Sequence, residues 1–78
     1  MKQFTGEMSD GSPITIAVGQ TWEAETEGVL TIVDITPTQV ELRFDFYPPG
    51  ETQFHELGGS DGFIDYLETC GYTLKPTT

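Results

Sequence analysis

Gln39-Val40-Glu41-Leu42-Arg43-Phe44-Asp45-Phe46-Tyr47 alternates between two faces along its whole length. In an extended chain Val40, Leu42, Phe44 and Phe46 share one side, and Glu41, Arg43, Asp45 and Tyr47 share the other. A helix would scatter those four apolar side chains around its circumference, so the stretch predicts a half-buried β-strand. Pro48-Pro49-Gly50 ends it abruptly. Just upstream, Thr36-Pro37-Thr38 puts proline at the second position of a tight turn. Before that turn, Val29 to Ile35 is almost continuously apolar and β-branched, which predicts the most buried strand.

Working outward, Trp22 and Ala24 alternate with Glu23, Glu25 and Glu27, the pattern of a strand with an acidic outer face that ends at Gly28. Ile14, Ile16 and Val18 alternate with Thr15 and Ala17 and predict a further short strand, broken at Gly19-Gln20. Residues 1–13 contain Gly6, Ser9, Asp10, Gly11, Ser12 and Pro13, so this opening reads as turn-rich and partly mobile. Downstream, Gln53 to Leu57 fits a short edge strand, and Gly58-Gly59 a flexible joint. Ser60 offers an N-cap, with Asp61 in the first helical turn. Phe63, Ile64, Leu67 and Cys70 recur at helical spacing with Tyr66 beside them, and Gly71 is a natural stop, so residues 60–70 predict one helix. Residues 72–74 read as a short closing strand, and the main sheet is expected within residues 14–57.

This order predicts one domain of the mainly β (α+β) class. Its expected architecture is a small SH3-like barrel or a curled antiparallel sheet of four to six strands, with one C-terminal helix. The segment from Val18-Gly19-Gln20-Thr21-Trp22 through Thr36-Pro37-Thr38 to Phe46 resembles the opening of small SH3-like β-barrel proteins of bacteria and phages. In those proteins a VGQxW strand precedes a hairpin of the type xVxxITxxxVxL. The resemblance covers residues 18–46 and implies a fold, not an activity.

Charge narrows the function. Thirteen carboxylates stand against three basic side chains in 78 residues, a formal net charge of −10. Lys2, Arg43 and Lys75 cannot form a basic patch, which argues against direct contact with nucleic acid or an anionic membrane. The single Cys70 excludes an intrachain disulfide and a cysteine-based zinc site. Polar residues follow Met1 and Lys2, and no run approaches the length of a membrane span, so a soluble cytoplasmic protein is expected, in the host cytoplasm if viral.

Chemical motifs are sparse. Asp61 to Glu68 matches the second half of a calcium-binding EF-hand loop, but Leu57 and Gly59 fall where the first and third ligands belong. His55 and Cys70 are each the only residue of their kind, and neither lies in a nucleophile signature. Paired carboxylates suited to acid–base chemistry also need a deep cleft, for which the chain is small. No enzyme activity, cofactor or metal is therefore expected.

The acidic strand face carries the sharper expectation. Glu23, Glu25 and Glu27 at period two would project about 6.5 Å apart from one strand, and Glu41 and Asp45 would repeat the arrangement on the long strand of residues 39–47, interrupted by Arg43. Asp61, Asp65 and Glu68 would form a second patch on the helix, and Tyr47, with Tyr66 or Tyr72, an aromatic anchor. Such a face suits a basic protein surface, such as that of a nucleic-acid-binding enzyme, by presenting carboxylates where phosphates would lie. Small acidic inhibitors made by phages and plasmids against nucleic-acid-binding defence enzymes resemble the chain in size, charge and absence of motifs. The competing expectation is an SH3-like adaptor or assembly domain that binds a peptide or larger complex through aromatic contacts. Simple solvation or salt adaptation would also account for the acidity.

Overall fold

Burying the apolar stripe of residues 39–44 organises the chain. A computed structural model describes residues 2–58 and 62–75. Strand β5 (Gln39–Phe44) carries Val40, Leu42 and Phe44 into the core, as the alternation requires. It pairs antiparallel with β4 (Gly28–Ile35) on one side and β6 (Gln53–Glu56) on the other. The turn before it closes through the Thr36 amide to Gln39 O, at 2.8 Å, and the Gln39 amide to the Thr36 hydroxyl, at 2.9 Å.

β4 departs from the fully buried strand expected of its composition. Leu30, Ile32 and Ile35 point into the core, whereas Val33 is 39 % exposed. The register slips between Ile32 and Asp34, leaving Val33 as the surplus residue of a bulge. A bulge bends its strand and increases the local twist. It also returns Ile35 to the core side, which strict alternation from Ile32 would have turned outward.

β3 (Thr21–Ala24) pairs with β4, and β7 (Thr73–Leu74) completes a five-stranded antiparallel sheet in the order β6-β5-β4-β3-β7. The Gln20 side-chain oxygen accepts from the Ala17 amide and the Trp22 indole, at 2.9 and 3.2 Å, pinning the approach to β3. β6 and β7 do not pair with each other, so the sheet is curled and open, not a closed barrel. β1 (Gln3–Glu7) and β2 (Pro13–Ala17) form a separate hairpin. Strand β1 lies in the stretch read from sequence as a turn-rich start. Its few apolar side chains hid it, yet Phe4 packs on the core and Gly6 lets the hairpin lie close to Ile64.

Helix α1 (Phe63–Cys70) buries Phe63, Ile64 and Leu67. Hairpin and helix together contribute the second layer that an open sheet needs. Gly62 occupies the N-cap without a side-chain cap, because a Cβ there would come within 2.7 Å of Leu57 O. The expected capping residues Ser60 and Asp61 lie outside the described residues. At the other end Gly71, in the left-handed conformation, closes the helix through its amide to Glu68 O.

Glu68 was expected among solvent-facing acids but is engaged internally. It accepts from the Ser9 amide at 2.8 Å and from the Ser9 hydroxyl, tying α1 to the tip of the β1–β2 hairpin. Glu68→Ala should cost about 1 kcal/mol, a typical net hydrogen-bond contribution, and lower the melting temperature by about 4–8 °C for a domain of this size. Thermal melts of the single variants and of Ser9→Ala/Glu68→Ala check it, since coupled partners give less than the sum of the two losses.

Candidate binding groove

The acidic ladder expected on one strand does not form. β3 ends at Ala24, and Glu25-Thr26-Glu27 is a turn. Gly28 closes that turn at φ +85°, a conformation costly for residues with a Cβ. The period-two array therefore breaks after Glu23. Glu23 and Glu25 line one shallow hollow with Gly71 and Thr73, and Glu27 faces a different groove.

The outer face of the sheet holds less free charge than the alternation implied. Glu41 stands opposite Asp34, a like-charge pair that would be unfavourable alone. Lys2 relieves it by an ion pair to Asp34 at 2.9 Å, and the Thr52 hydroxyl donates to Glu41 at 2.6 Å. The Lys2 hydrogen bond, with that from the Ile35 amide, holds the Asp34 carboxyl below the usual range. Arg43, on the same face, is spent on backbone, donating to Phe44 O and Tyr47 O at 3.0 Å each. Among the described residues, Lys2–Asp34 is the only ion pair.

β5 also ends earlier than its pattern suggested. The Asp45 amide makes the last bond to Val29 O, and the Tyr47 amide turns back onto Phe44 O. That turn exchanges two predicted orientations. Phe46, expected in the core, is 69 % exposed, whereas Tyr47, expected outside, packs against the core. Asp45 lies beside the β3–β4 turn, its carboxylate oxygen 3.1 Å from where a Gly28 Cβ would stand.

These displacements build a groove at one end of the sheet. One wall is Phe44, Phe46 and Tyr47, whose rings lie 5.2–5.3 Å apart. His55 from β6 and Tyr66 from α1, 5.3 Å apart, form a second aromatic cluster in the lining, with Leu42 beside them in it. Glu27 is the one carboxylate lining it, and Gln53 accepts a hydrogen bond from the Tyr47 hydroxyl. The cavity is about 270 Å³, below the usual range of small-molecule pockets and suited to a single side chain.

Of the residues singled out from sequence, Glu27 and Tyr47 line this groove and Asp45 lies at the same end of the sheet. Glu23 and Glu25 flank the neighbouring hollow, Glu41 is on the outer face, and Asp65 is exposed on α1. Asp61 lies outside the described residues. Tyr66, one of the two helix-side tyrosines expected beside Tyr47, lines the groove too, whereas Phe46, Gln53 and His55 were not expected there. The signal for Phe46 was available in Pro48-Pro49, which stop the strand too soon for it to be held inward.

Burial, with the Glu27 charge nearby, pushes the Cys70 thiol up, the opposite of activation. The His55 ring faces Glu56 O and the aromatic rings of Phe63 and Tyr66. Among the described residues no three His, Cys, Asp or Glu side chains are placed to hold a metal ion, and no helix is long and apolar enough to cross a membrane. No family model, curated protein or solved structure matches this chain.

Beside Tyr66 the Tyr72 hydroxyl is buried, and among the described residues it makes no hydrogen bond of good geometry. Burial pushes both phenols upward, Tyr72 the more strongly, and the Tyr66 phenol is close enough to push Tyr72 up further. A raised folded-state value leaves stability intact below the unfolded phenol's ordinary value, about 10, and removes it as pH rises beyond. Tyr72→Phe should raise the melting temperature at neutral pH by several degrees, since an unsatisfied buried hydroxyl costs about 1 kcal/mol or more. The same variant should shift alkaline unfolding to higher pH, followed by circular dichroism. Cys70 should react with a disulfide reagent at pH 8 at least several-fold more slowly in the native protein than in urea, because less of it is thiolate.

Proposed function

We propose that this chain is a small acidic, non-enzymatic binding protein that docks on a basic surface of a partner protein and acts there as an inhibitor. The observation that carries this is the fate of the bases. Lys2 is committed to Asp34 and Arg43 to backbone carbonyls, so beyond Asp34 neither of them neutralises the excess of carboxylates. Such a field repels itself in the free protein and is relieved by a cationic partner, which it also steers into contact.

The surface most suited to first contact is the end of the sheet bearing Glu23, Glu25, Glu27 and Asp45, beside the exposed Phe46. Carboxylates there are grouped around turns and are not spaced as phosphates along a strand. Overall charge, not phosphate-like spacing, therefore supports a Lys/Arg-rich nucleic-acid-binding enzyme as the partner class. A second class, an adaptor that binds peptide through aromatic contacts, is favoured by one observation, the aromatic groove itself.

Salt separates the two. Basic proteins retained on the immobilised protein at low ionic strength should elute by about 0.5 M salt, where screening lengths fall to a few ångströms. Glu23→Lys/Glu25→Lys/Asp45→Lys should lose that retention while melting like the parent. Retention that survives both half-molar salt and charge reversal would reject electrostatic docking and favour the adaptor.

A further inference from the structure

We infer that the groove between β5, β6 and α1 is a receptor for one arginine side chain, presented by the basic surface on which the protein docks. This deepens the proposed docking and rests on it for the source of the arginine, but the groove's own chemistry selects the group.

The lining asks for a flat cation. Phe44, Phe46 and Tyr47 form one aromatic cluster of the lining, and Tyr66 with His55 a second. A cation over an aromatic face is attracted by the ring quadrupole, and guanidinium, planar and weakly hydrated, also stacks on rings. Glu27 contributes the single negative charge at the wall, and no lysine or arginine lines the groove to neutralise it. The Gln53 side-chain oxygen, which already accepts from Tyr47, has a second lone pair to offer. Arginine carries five donors and no acceptor, which complements a carboxylate and an amide oxygen.

Size and exposure agree with this chemistry. About 270 Å³ admits one long side chain but not a folded segment. Phe46 leaves most of its ring in water at the edge of the groove, 69 % exposed, although it stacks on Phe44. Large aromatics held in water beside a groove are the usual anchors of an interface, where a partner covers them. Charge complementarity names that partner, since a chain of net charge −10 draws in cations before anything else.

The test uses the whole protein at low salt, titrated with a capped Gly-Arg-Gly peptide, its Gly-Lys-Gly counterpart and the neutral citrulline isostere, followed by amide and side-chain NMR. Expected are saturable shifts confined to Phe46, Tyr47, Gln53, His55 and Tyr66 with the arginine peptide. The lysine peptide should bind several-fold more weakly, and the citrulline peptide should give no saturation. Phe46→Ala and Glu27→Gln should each weaken arginine binding about fivefold, the scale of one exposed cation–π contact. Equal binding of citrulline, shifts spread over every acidic face, or preferential occupation by a capped proline-rich peptide would each overturn the inference. Glu23→Lys/Glu25→Lys/Asp45→Lys leaves the groove lining intact. If arginine fails to occupy the groove while that variant still abolishes retention of basic proteins, the groove assignment falls and the docking stands. If arginine saturates the groove but no basic protein is retained, the groove assignment is supported and the docking falls.

Discussion

An open sheet cannot bury both faces by itself, and this one closes on one side only because Phe63, Ile64 and Leu67 of the helix and Ile16 of the hairpin settle onto its apolar stripe. Everything else in the molecule answers to that one contact layer. The Ser9–Glu68 hydrogen bonds fasten the two covering elements to each other at their outer ends. Where the cover stops short, between Tyr66 on the helix and the end of β5, the aromatic groove remains. The groove is thus the unfilled margin of the core, which explains why it is lined by core-type side chains and bounded by a turn.

Charge is handled as a scarcity of bases. With only three available, Lys2 is placed at the one cross-strand pair of acids among the described residues, Asp34 and Glu41, where repulsion would be most direct. Arg43 is used as a hydrogen-bond donor that fixes the turn after β5. Hydroxyls take over where bases run out, Thr52 at Glu41 and Ser9 at Glu68. Asp10, Glu25, Glu27 and Asp45 sit in turns, where neither sheet register nor helix geometry forces like charges together, while Glu7, Glu23, Glu56 and Asp65 stand in strands or on the helix.

Much of the fold was legible because it depends on local pattern. The alternation of Val40, Leu42 and Phe44, the turn at Pro37, the helical spacing of Phe63, Ile64 and Leu67, and the stop at Gly71 each follow from short-range geometry, and each is present. Failures came where the chain leaves a regular element. The alternation through Glu25 and Glu27 read as strand, but those residues form the turn that Gly28 closes; that through Phe46 read as core, but a turn rotates it outward. Strand β1 escaped notice because its partner, β2, supplies the hydrogen bonds that its own composition does not advertise. The groove was hidden for the same reason, since it joins side chains from β5, β6, α1 and a turn that no spacing relates.

The surplus residue in β4 carries a wider implication. Bulges shape a strand without adding to its inward stripe, and the inward set Leu30, Ile32 and Ile35 reads as an ideal alternation once Val33 is left out. Curvature in this sheet is thus written as a single added codon, separate from the side chains that hold the sheet together. A lineage could gain or lose that curl, and with it the span between the helix and the β5–β6 rim, while leaving every buried residue unchanged.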